Sequence, residues 1–291
     1  MGWREGFIAV DWGTTNRRAF AVDAAGAAVL AVEDELGVMN LPGDAFAEEV
    51  AALRRRLGGR PMLLAGMIGS DRGWKQAPYV PCPAGAAELA AAILWVEPGR
   101  LGIVPGVASA EGGEADVMRG EEVQAIGAAG ALPPDAPLCH PGTHSKWIRM
   151  RGGRIAHFRT AMTGELYGLL KSGSILAPQL RQEAAADADF ARGASEALAG
   201  AEPLAALFSI RARHLLGRGE ANAASYASGL LVGADLRAGL ALHDSGPIGL
   251  VGRSELRALY AAALAQAGVE TVEVDGGEAF LAGIRAIIET L

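Results

Sequence analysis

The 291-residue chain is long enough for two domains with a core in each, and its composition, 51% hydrophobic and 20% charged, is that of a packed globular protein. Its net charge of -7 excludes the basic surface that DNA or RNA requires, so we expect no nucleic-acid partner. Two cysteines without CxxC spacing exclude a disulfide framework, and no apolar run reaches the roughly 18 residues of a membrane span. We therefore expect a cytoplasmic protein with no membrane partner.

Apolar periodicity and turn residues predict alternating strands and helices in the first part of the chain. A meander of three short strands opens it, and Asp23 and Gly26 mark the turn between the second and third strands. The predicted elements are strands over 7–11, 17–22 and 28–33, a helix over 44–57, a strand over 61–65, a helix over 84–94, a strand over 101–104 and a helix over 120–130. Their order is βββαβαβα.

The second part of the chain repeats this order. The predicted elements are strands over 137–140, 144–150 and 154–160, a helix starting near Thr163, a strand over 248–252, a helix over 254–267, a strand over 270–274 and a helix from 276 to the end. Residues 166–246 form an extra, largely helical insertion. We therefore expect an α/β protein with one such domain over 1–114 and another over 115–291, with a cleft between them.

Two short segments about 130 residues apart share one physical design. In each, an apolar strand breaks at a glycine followed by hydroxyl or amide side chains, and a second strand then begins. Backbone N–H groups in such a turn suit a phosphate, although an ordinary hairpin turn could have either composition. The candidate ligands of the β- and γ-phosphates are Gly13, Thr14, Thr15 and Asn16 in the first segment and Gly142, Thr143, His144 and Ser145 in the second.

Three carboxylates stand beside these segments or at a helix start. Asp11 ends the first strand, where it could bind Mg²⁺ together with phosphate oxygens or simply cap its own turn. Glu121 and Glu122 lie at a predicted helix N-terminus. One of them could accept the proton of a substrate hydroxyl as it attacks the γ-phosphorus, or both could merely complement the helix dipole.

Further glycine-rich segments suit small-molecule ligands. The loop over 65–79 carries aromatic, cationic and hydroxyl groups that fit a polar, anionic compound, and an exposed surface loop is the alternative. Glycines in Gly252-Arg253-Ser254 and Gly276-Gly277 would let an adenosine approach the backbone, although helix packing also selects glycine. The five histidines, His243 among them, show no metal-ligand spacing, so we expect them to be structural or at the surface.

Together these motifs resemble those of sugar kinases of the actin, hexokinase and Hsp70 superfamily, and most specifically those of the 2-dehydro-3-deoxygalactonokinase family. The matching strings, in family order along the whole chain, are VDWGTTNRRAF, LAGMIGSDRGWKQAPYVP, VMRGEEVQAIGA, PGTHSKW, FRTAMTGEL and DGGEAFLAGIRAI. The resemblance implies two ribonuclease H-like (actin-like ATPase) domains with ATP and Mg²⁺ as cofactors. It also implies phosphorylation of the C6 hydroxyl of 2-dehydro-3-deoxy-D-galactonate in galactonate or galactose catabolism.

The resemblance also implies roles for individual residues. Related carbohydrate kinases carry the catalytic Asp in a Gly-Asp-Gln stretch before a connecting helix, a place that Gly120-Glu121-Glu122 holds here. Glu121 is therefore the expected base, Glu122 its rival, and Asp11, the expected metal ligand, the alternative base. The carboxylate and 2-keto group of the substrate call for cations. The expected substrate-binding residues are Lys75 and Arg119 for these groups, with Gly69, Ser70, Trp74, Tyr79 and Glu165 for the rest of the sugar acid.

Two other functions stay open at this point. The substrate could be a related compound such as 2-dehydro-3-deoxy-D-gluconate or a neutral sugar, since one inverted hydroxyl changes only which donor it meets. A non-catalytic nucleotide or sugar sensor of the same fold is the other alternative, but we expect no room for an added DNA-binding segment in the six residues before the first strand. The insertion over 166–246 could form a homodimer, or its Ala-rich helices could pack inward.

Overall fold

Two mixed β-sheets organise the computed structural model, which describes residues 2–110, 115–242 and 246–291. The described chain divides into two compact units. The first unit contains the residues up to Pro134 together with Arg151–His157 and Gly277–Leu291, and the second contains Asp135–Met150 and Phe158–Gly276. The predicted α/β class is confirmed.

The first unit is built on one large and one small sheet. Its strands are β1 (Gly6–Trp12), β2 (Arg17–Asp23), β3 (Ala28–Asp34), β4 (Met62–Gly66), β5 (Tyr79–Pro81), β6 (Leu94–Glu97), β7 (Leu101–Ile103), β8 (Gly106–Ser109) and β9 (Asp116–Met118), and its first helices are α1 (Phe46–Arg56), α2 (Ala86–Ala91) and α3 (Glu121–Ala128). The large sheet has the order β3-β2-β1-β4-β7-β6, and the small sheet has the order β5-β8-β9.

The central strands of the large sheet point the same way. β1 pairs antiparallel with β2 but parallel with β4, and β4 pairs parallel with β7. The carboxyl ends of β1, β4 and β7 therefore lie at one edge of the sheet. β1 is buried along almost its whole length, as a strand in the middle of a covered sheet should be, and α1 contributes the buried side chains of Phe46, Val50 and Leu53.

The second unit repeats this plan and adds helices. Its elements are β10 (Leu138–His140), β11 (Ser145–Arg151), β12 (Arg154–Ala161, of which the residues up to His157 are counted with the first unit), α4 (Thr163–Gly173), α5 (Ala188–Leu198), α6 (Pro203–Leu215), α7 (Ala223–Leu240), β13 (Ile248–Gly252), α8 (Ser254–Gln266) and β14 (Thr271–Asp275), and α9 (Gly276–Glu289) is the last element along the chain. The sheet has the order β12-β11-β10-β13-β14. This is the order β3-β2-β1-β4-β7 of the first unit, so the repeat predicted from the sequence is present in the topology.

The first unit differs from the prediction in its middle section. The helix expected over 84–94 ends at Ala91, and the apolar residues after it form β6. A short apolar run does not by itself distinguish a strand from a helix. The strands of the small sheet were also missed, because β5, β8 and β9 span only three or four residues each.

The insertion is helical, as predicted, and α7 packs inward. α7 is buried around most of its circumference, which its small Ala, Gly and Ser side chains permit. A Cβ added at Gly229 would lie 2.2 Å from the Phe190 carbonyl oxygen of α5, so the two helices approach at the level of their backbones. Glycine at this position is therefore a packing requirement.

A second close crossing explains the bounds of the first unit. A Cβ added at Gly127 of α3 would lie 1.9 Å from the carbonyl oxygen of Ala279, and one added at Gly283 of α9 would lie 1.9 Å from that of Val123. This crossing joins α3 and most of α9 to the same unit, whereas the predicted division after residue 114 places both helices in the second domain. Among the described residues, no helix is both long and apolar enough to cross a membrane.

Candidate active site

The first glycine turn, residues 13–16, is held on one side by the segment that follows β3. The backbone N–H groups of residues 37–39 donate to the carbonyl oxygens of Gly13, Thr14 and Thr15 over 3.0–3.1 Å. Because a trans peptide directs its C=O and the next N–H in opposite directions, the N–H groups of Thr14, Thr15 and Asn16 point away from this segment. Three successive N–H groups in an exposed turn form the kind of nest that binds anions.

Gly37 is a residue of this site that the sequence did not reveal. A Cβ there would lie 2.3 Å from the carbonyl carbon of Thr15 and 2.4 Å from the carbonyl oxygen of Thr14. The Asn40 side chain donates to the Thr15 carbonyl oxygen as well, at 3.2 Å. Neither residue lies in a recognisable motif, since their contact with the turn spans more than twenty positions of the chain.

Asp11 lies beside this turn at the carboxyl end of β1. It pairs with Ala65 of β4, and its Oδ2 accepts a 2.6 Å hydrogen bond from the Arg18 guanidinium. Its side chain is 16% exposed, so the carboxylate is accessible at the sheet edge. Mg²⁺ takes one or two carboxylates and completes its shell with phosphate oxygens and water, which a single accessible carboxylate beside a phosphate turn fits. The described ranges contain no cluster of three or more His, Cys, Asp or Glu residues that could hold a metal ion.

Glu121 and Glu122 begin α3 next to the end of β4. Gly120 precedes them with a φ of 106°, and a Cβ there would lie 3.1 Å from the Cα of Gly66. Glu121 is half-buried, and its Oε2 accepts from the backbone N–H of Arg119 at 3.2 Å. The two carboxylates thus lie at the edge of the sheet at which β4 ends.

Glu122 differs from its neighbour in being fully buried, at 0% exposure. Its Oε2 accepts from the Gly120 N–H at 2.7 Å, and its Oε1 has no hydrogen-bond partner. Burial, reinforced by the charge of Glu121, raises the pKa of Glu122 to about 8. Glu122 is therefore largely protonated at neutral pH, whereas the side chain of Glu121 remains accessible.

The structure brings together three of the predicted substrate residues, Gly69, Tyr79 and Arg119. The Arg119 guanidinium is 4.3 Å from the centroid of the Tyr79 ring and donates from Nη2 to the Ala77 carbonyl oxygen at 2.9 Å. A Cβ at Gly69 would lie 2.9 Å from its Nη1. Arg119 is 8% exposed, and its buried Nε and Nη1 have no hydrogen-bond partner.

Other predicted substrate residues have different surroundings. The Ser70 hydroxyl donates to the Met67 carbonyl oxygen at 2.7 Å and thus stabilises its own loop. Trp74 packs against the core and lines a cavity of about 580 Å³ together with residues of α1 such as Val50. Lys75 is exposed, and its Nζ lies 5.7 Å from the centroid of the Trp74 ring. Glu165 belongs to the second unit.

The second glycine turn, in the second unit, is held by the start of α4. The backbone N–H of Glu165 donates to the Thr143 carbonyl oxygen at 2.9 Å, and a Cβ at Gly164 would lie 2.4 Å from the Gly142 carbonyl oxygen. The exposed side chains of His144 and Glu165 meet at 2.5 Å. The turn therefore lies at a helix N-terminus, whose partial positive charge favours an anion.

Two residues follow this turn, Ser145 with its side chain in the core and Lys146 with its side chain directed back to the turn. Ser145 is 0% exposed and donates to Oδ2 of Asp235 at 2.5 Å, and Lys146 Nζ donates to the His144 carbonyl oxygen at 3.2 Å. The hydroxyl of Ser145, predicted to bind phosphate, is thus occupied by Asp235. No sequence signal indicated Asp235, which lies on α7 in the insertion.

The predicted adenosine segments lie at the same sheet edge as this turn. β10 and β13 are parallel neighbours, and a Cβ at Gly252 would lie 3.4 Å from the Pro141 carbonyl oxygen. Gly252 has a φ of 134°, and Arg253 and Ser254 after it are exposed. Gly276 and Gly277 directly follow β14, the next parallel strand. His243 lies outside the described residues.

One protein family matches nearly the whole chain. The family model described as 2-keto-3-deoxy-galactonokinase matches residues 11–287, from Asp11 at the first turn to the last helix. The chain belongs to this family. The resemblance seen in the sequence motifs is therefore confirmed, and with it the assignment as a carbohydrate kinase.

Relatives of this galactonokinase family match over nearly the whole chain. The chain is 37% identical to 2-dehydro-3-deoxygalactonokinase of Escherichia coli K12 over 97% of both proteins. A crystal structure of a candidate 2-dehydro-3-deoxygalactonokinase from Sinorhizobium meliloti superposes with a TM-score of 0.90 at 33% identity, covering 97% of both chains. The activator of the 2-hydroxyisocaproyl-CoA dehydratase from Clostridium difficile has a TM-score of 0.52 at 10% identity over 98% of this chain and 95% of its own, a likeness of fold alone.

Proposed function

We propose that this chain is an ATP-dependent kinase that transfers the γ-phosphoryl group of ATP to the C6 hydroxyl of 2-dehydro-3-deoxy-D-galactonate and releases the 6-phosphate. The observation that carries the proposal is its 37% identity, over 97% of both chains, with the E. coli enzyme of that name. The two glycine turns at the carboxyl edges of two sheets support it, because both suit phosphate. The proposed reaction would be a step in the cytoplasmic degradation of galactonate or galactose.

Each unit is proposed to contribute groups suited to a part of ATP. In the first unit, the N–H groups of the turn over 13–16 would hold phosphate oxygens, and in the second the turn over 142–144 would do so. Gly252 and the start of α9 would accommodate the adenosine. Asp11 would hold Mg²⁺, which neutralises the charge that develops on the phosphates. The C. difficile activator, a protein of similar fold, is solved with bound ADPNP.

Glu121 is proposed as the general base. A base must come within hydrogen-bond reach of the substrate hydroxyl, and Glu121 keeps an accessible carboxylate at the sheet edge whereas Glu122 is buried. The raised pKa of Glu122 also leaves it protonated at pH 7, so that it is unable to accept a proton there. Asp11 is bound to Arg18 and is better placed for the metal.

The acidic end of the substrate is proposed to meet Arg119 and the loop around it. Two nitrogen atoms of Arg119, Nε and Nη1, are buried without a partner, and buried donors in native proteins are nearly always paired with protein, water or ligand. A small shift of the loop over 69–79 would present these donors to a carboxylate. Lys75, exposed on the same loop, supplies a second cation.

For the architecture, we propose that both units are ribonuclease H-like domains, because the large sheet of each unit contains five strands in the same topological order. A homodimer would form through the insertion. α6 there exposes Leu204, Phe208 and Leu215, large apolar side chains that a second copy could cover.

A coupled assay of ADP release tests the activity. With ATP, Mg²⁺ and 2-dehydro-3-deoxy-D-galactonate, we expect turnover well above that with the gluconate epimer as the matched control substrate. Absence of ADP release above background with either sugar acid would refute the kinase assignment, and preference for the epimer would reassign the substrate.

The base is tested by Glu121→Gln, which keeps the shape and removes the proton acceptor. We expect kcat to fall by roughly 10² or more with little change in either KM. Glu48→Gln, at an exposed position in the first turn of α1, is the control and should leave kcat unchanged. A Glu121→Gln enzyme with near-normal kcat would move the role to another carboxylate.

A further inference from the structure

A single buried carboxylate gathers four hydrogen-bond donors in the second unit. Asp235 on α7 is 5% exposed. Its Oδ2 accepts from Ser145 Oγ at 2.5 Å, Thr163 Oγ1 at 2.8 Å and Tyr260 OH at 2.5 Å, and its Oδ1 accepts from Trp147 Nε1 at 2.8 Å. This set satisfies a carboxylate that would be very costly to bury alone.

Two of these donors flank the second phosphate turn. Ser145 is the residue directly after His144, the last exposed residue of the turn. Thr163 is the first residue of α4, in which Gly164 approaches the turn closely and Glu165 donates a backbone hydrogen bond to it. Ser145 and Thr163 also contact each other, with 3.3 Å between their hydroxyl oxygens. Asp235 therefore ties together the two pieces of chain that shape the turn.

The other two donors belong to the core of the unit. Trp147 is a residue of β11 whose buried side chain belongs to the core, and Tyr260 is on α8. They anchor the carboxylate to the body of the unit. The carboxylate thus connects the phosphate turn and the start of α4 to a rigid core, although it lies 90 residues from Ser145 in the chain.

We propose that Asp235 is a positioning residue for nucleotide binding, which fixes the second phosphate turn against the N-terminus of α4 through Ser145 and Thr163. It acts through these two hydroxyls and does not touch the nucleotide itself. The inference rests on the proposed function, in which the turn over 142–144 binds the phosphates of ATP. It assigns the helical insertion, which carries Asp235, a part in forming the nucleotide site.

A purely structural role for Asp235 makes a different prediction, and two hydroxyl deletions separate the two roles. Ser145→Ala and Tyr260→Phe each remove one buried oxygen atom that donates to the same Oδ2 at 2.5 Å. Both should lower the unfolding temperature, since each leaves the carboxylate with one donor fewer. Only Ser145→Ala frees the turn.

The readouts are the calorimetric Kd for the non-hydrolysable ATP analogue AMPPNP with Mg²⁺, and the KM values for ATP and for the sugar acid. For Ser145→Ala and the isosteric Thr163→Val we expect the Kd for AMPPNP and the KM for ATP to rise about tenfold, the effect of one hydrogen bond to a charged group. The KM for the sugar acid should stay within about twofold, the scatter expected for a change that leaves that site intact. Tyr260→Phe should leave all three constants near wild type.

Equal nucleotide affinities for Ser145→Ala, Thr163→Val and Tyr260→Phe would overturn the inference and leave Asp235 as a core residue. Because AMPPNP binding needs no phosphoryl transfer, this outcome differs from failure of the proposed function, in which the wild-type protein binds AMPPNP but phosphorylates no sugar acid. Wild-type protein that binds no nucleotide would overturn both.

Discussion

Replacement of Glu122 with glutamine is expected to stabilise the protein at neutral and alkaline pH. Glu122 is fully buried, and its pKa rises from 4.5 to about 8. Between these values the folded state holds the proton while the unfolded chain releases it, so the stability of the wild type falls as the pH rises through this window. A glutamine stays neutral, resembles the protonated acid in shape and can accept from the Gly120 N–H in its place.

The magnitude follows from the gap between the two pKa values. At 1.36 kcal/mol for each pH unit, the raised pKa of Glu122 lowers the stability of the wild type, relative to that near pH 4.5, by about 3 kcal/mol at pH 7 and about 5 kcal/mol above pH 8. Glu122→Gln should therefore be more stable than the wild type by about these amounts, and the two should be nearly equal close to pH 4.5.

Urea unfolding followed by tryptophan fluorescence at pH 5, 7 and 9 measures this difference. Glu48→Gln, an exposed first-turn position in α1, controls for the loss of a carboxylate as such and should show a pH-independent difference. A constant difference between Glu122→Gln and the wild type from pH 5 to 9 would refute the reasoning. A wild type that becomes increasingly more stable than Glu122→Gln as the pH rises would also refute it, because the stability difference would have the opposite sign.

The remaining predictions concern two glycines that contact neighbouring atoms closely. Gly127→Ala should destabilise the protein by about 1–3 kcal/mol or more in urea unfolding, because its Cβ would lie 1.9 Å from the Ala279 carbonyl oxygen. Gly168→Ala in α4 is the matched control, since nothing lies within 4 Å of the added Cβ, and it should stabilise by about 0.5–1 kcal/mol. Equal effects would show that helix propensity, not the crossing, governs both. Gly69→Ala should displace the Arg119 guanidinium and raise the KM for the sugar acid several-fold with the KM for ATP unchanged; a rise in both constants would contradict a role confined to the substrate.

Local patterns in the sequence were sufficient to predict the two glycine turns and the strands on either side of them. Alternating apolar residues, a glycine and then small polar residues specify a strand, a turn and a second strand within about ten positions, and both hairpins form as predicted. The short strands β5, β6, β8 and β9 were missed because three or four residues carry too little periodicity.

The candidate site was predictable only as a set of residue types. Glu121 and Glu122 are indistinguishable in the sequence, and burial alone separates an accessible carboxylate from one with a raised pKa. Trp74 and Arg119 were both predicted to bind the substrate, but Trp74 packs with α1 whereas Arg119 contacts Tyr79.

The sequence by itself determined the family, the repeated order of elements and the positions of the two glycine turns, because each depends on residues that are close neighbours in the chain. Only the tertiary structure decided what holds those turns in place. Gly37 supports the first turn, and Asp235 supports the second from 90 residues away. These contacts depend on packing between segments that are distant in the chain, and no local periodicity or residue spacing indicates them.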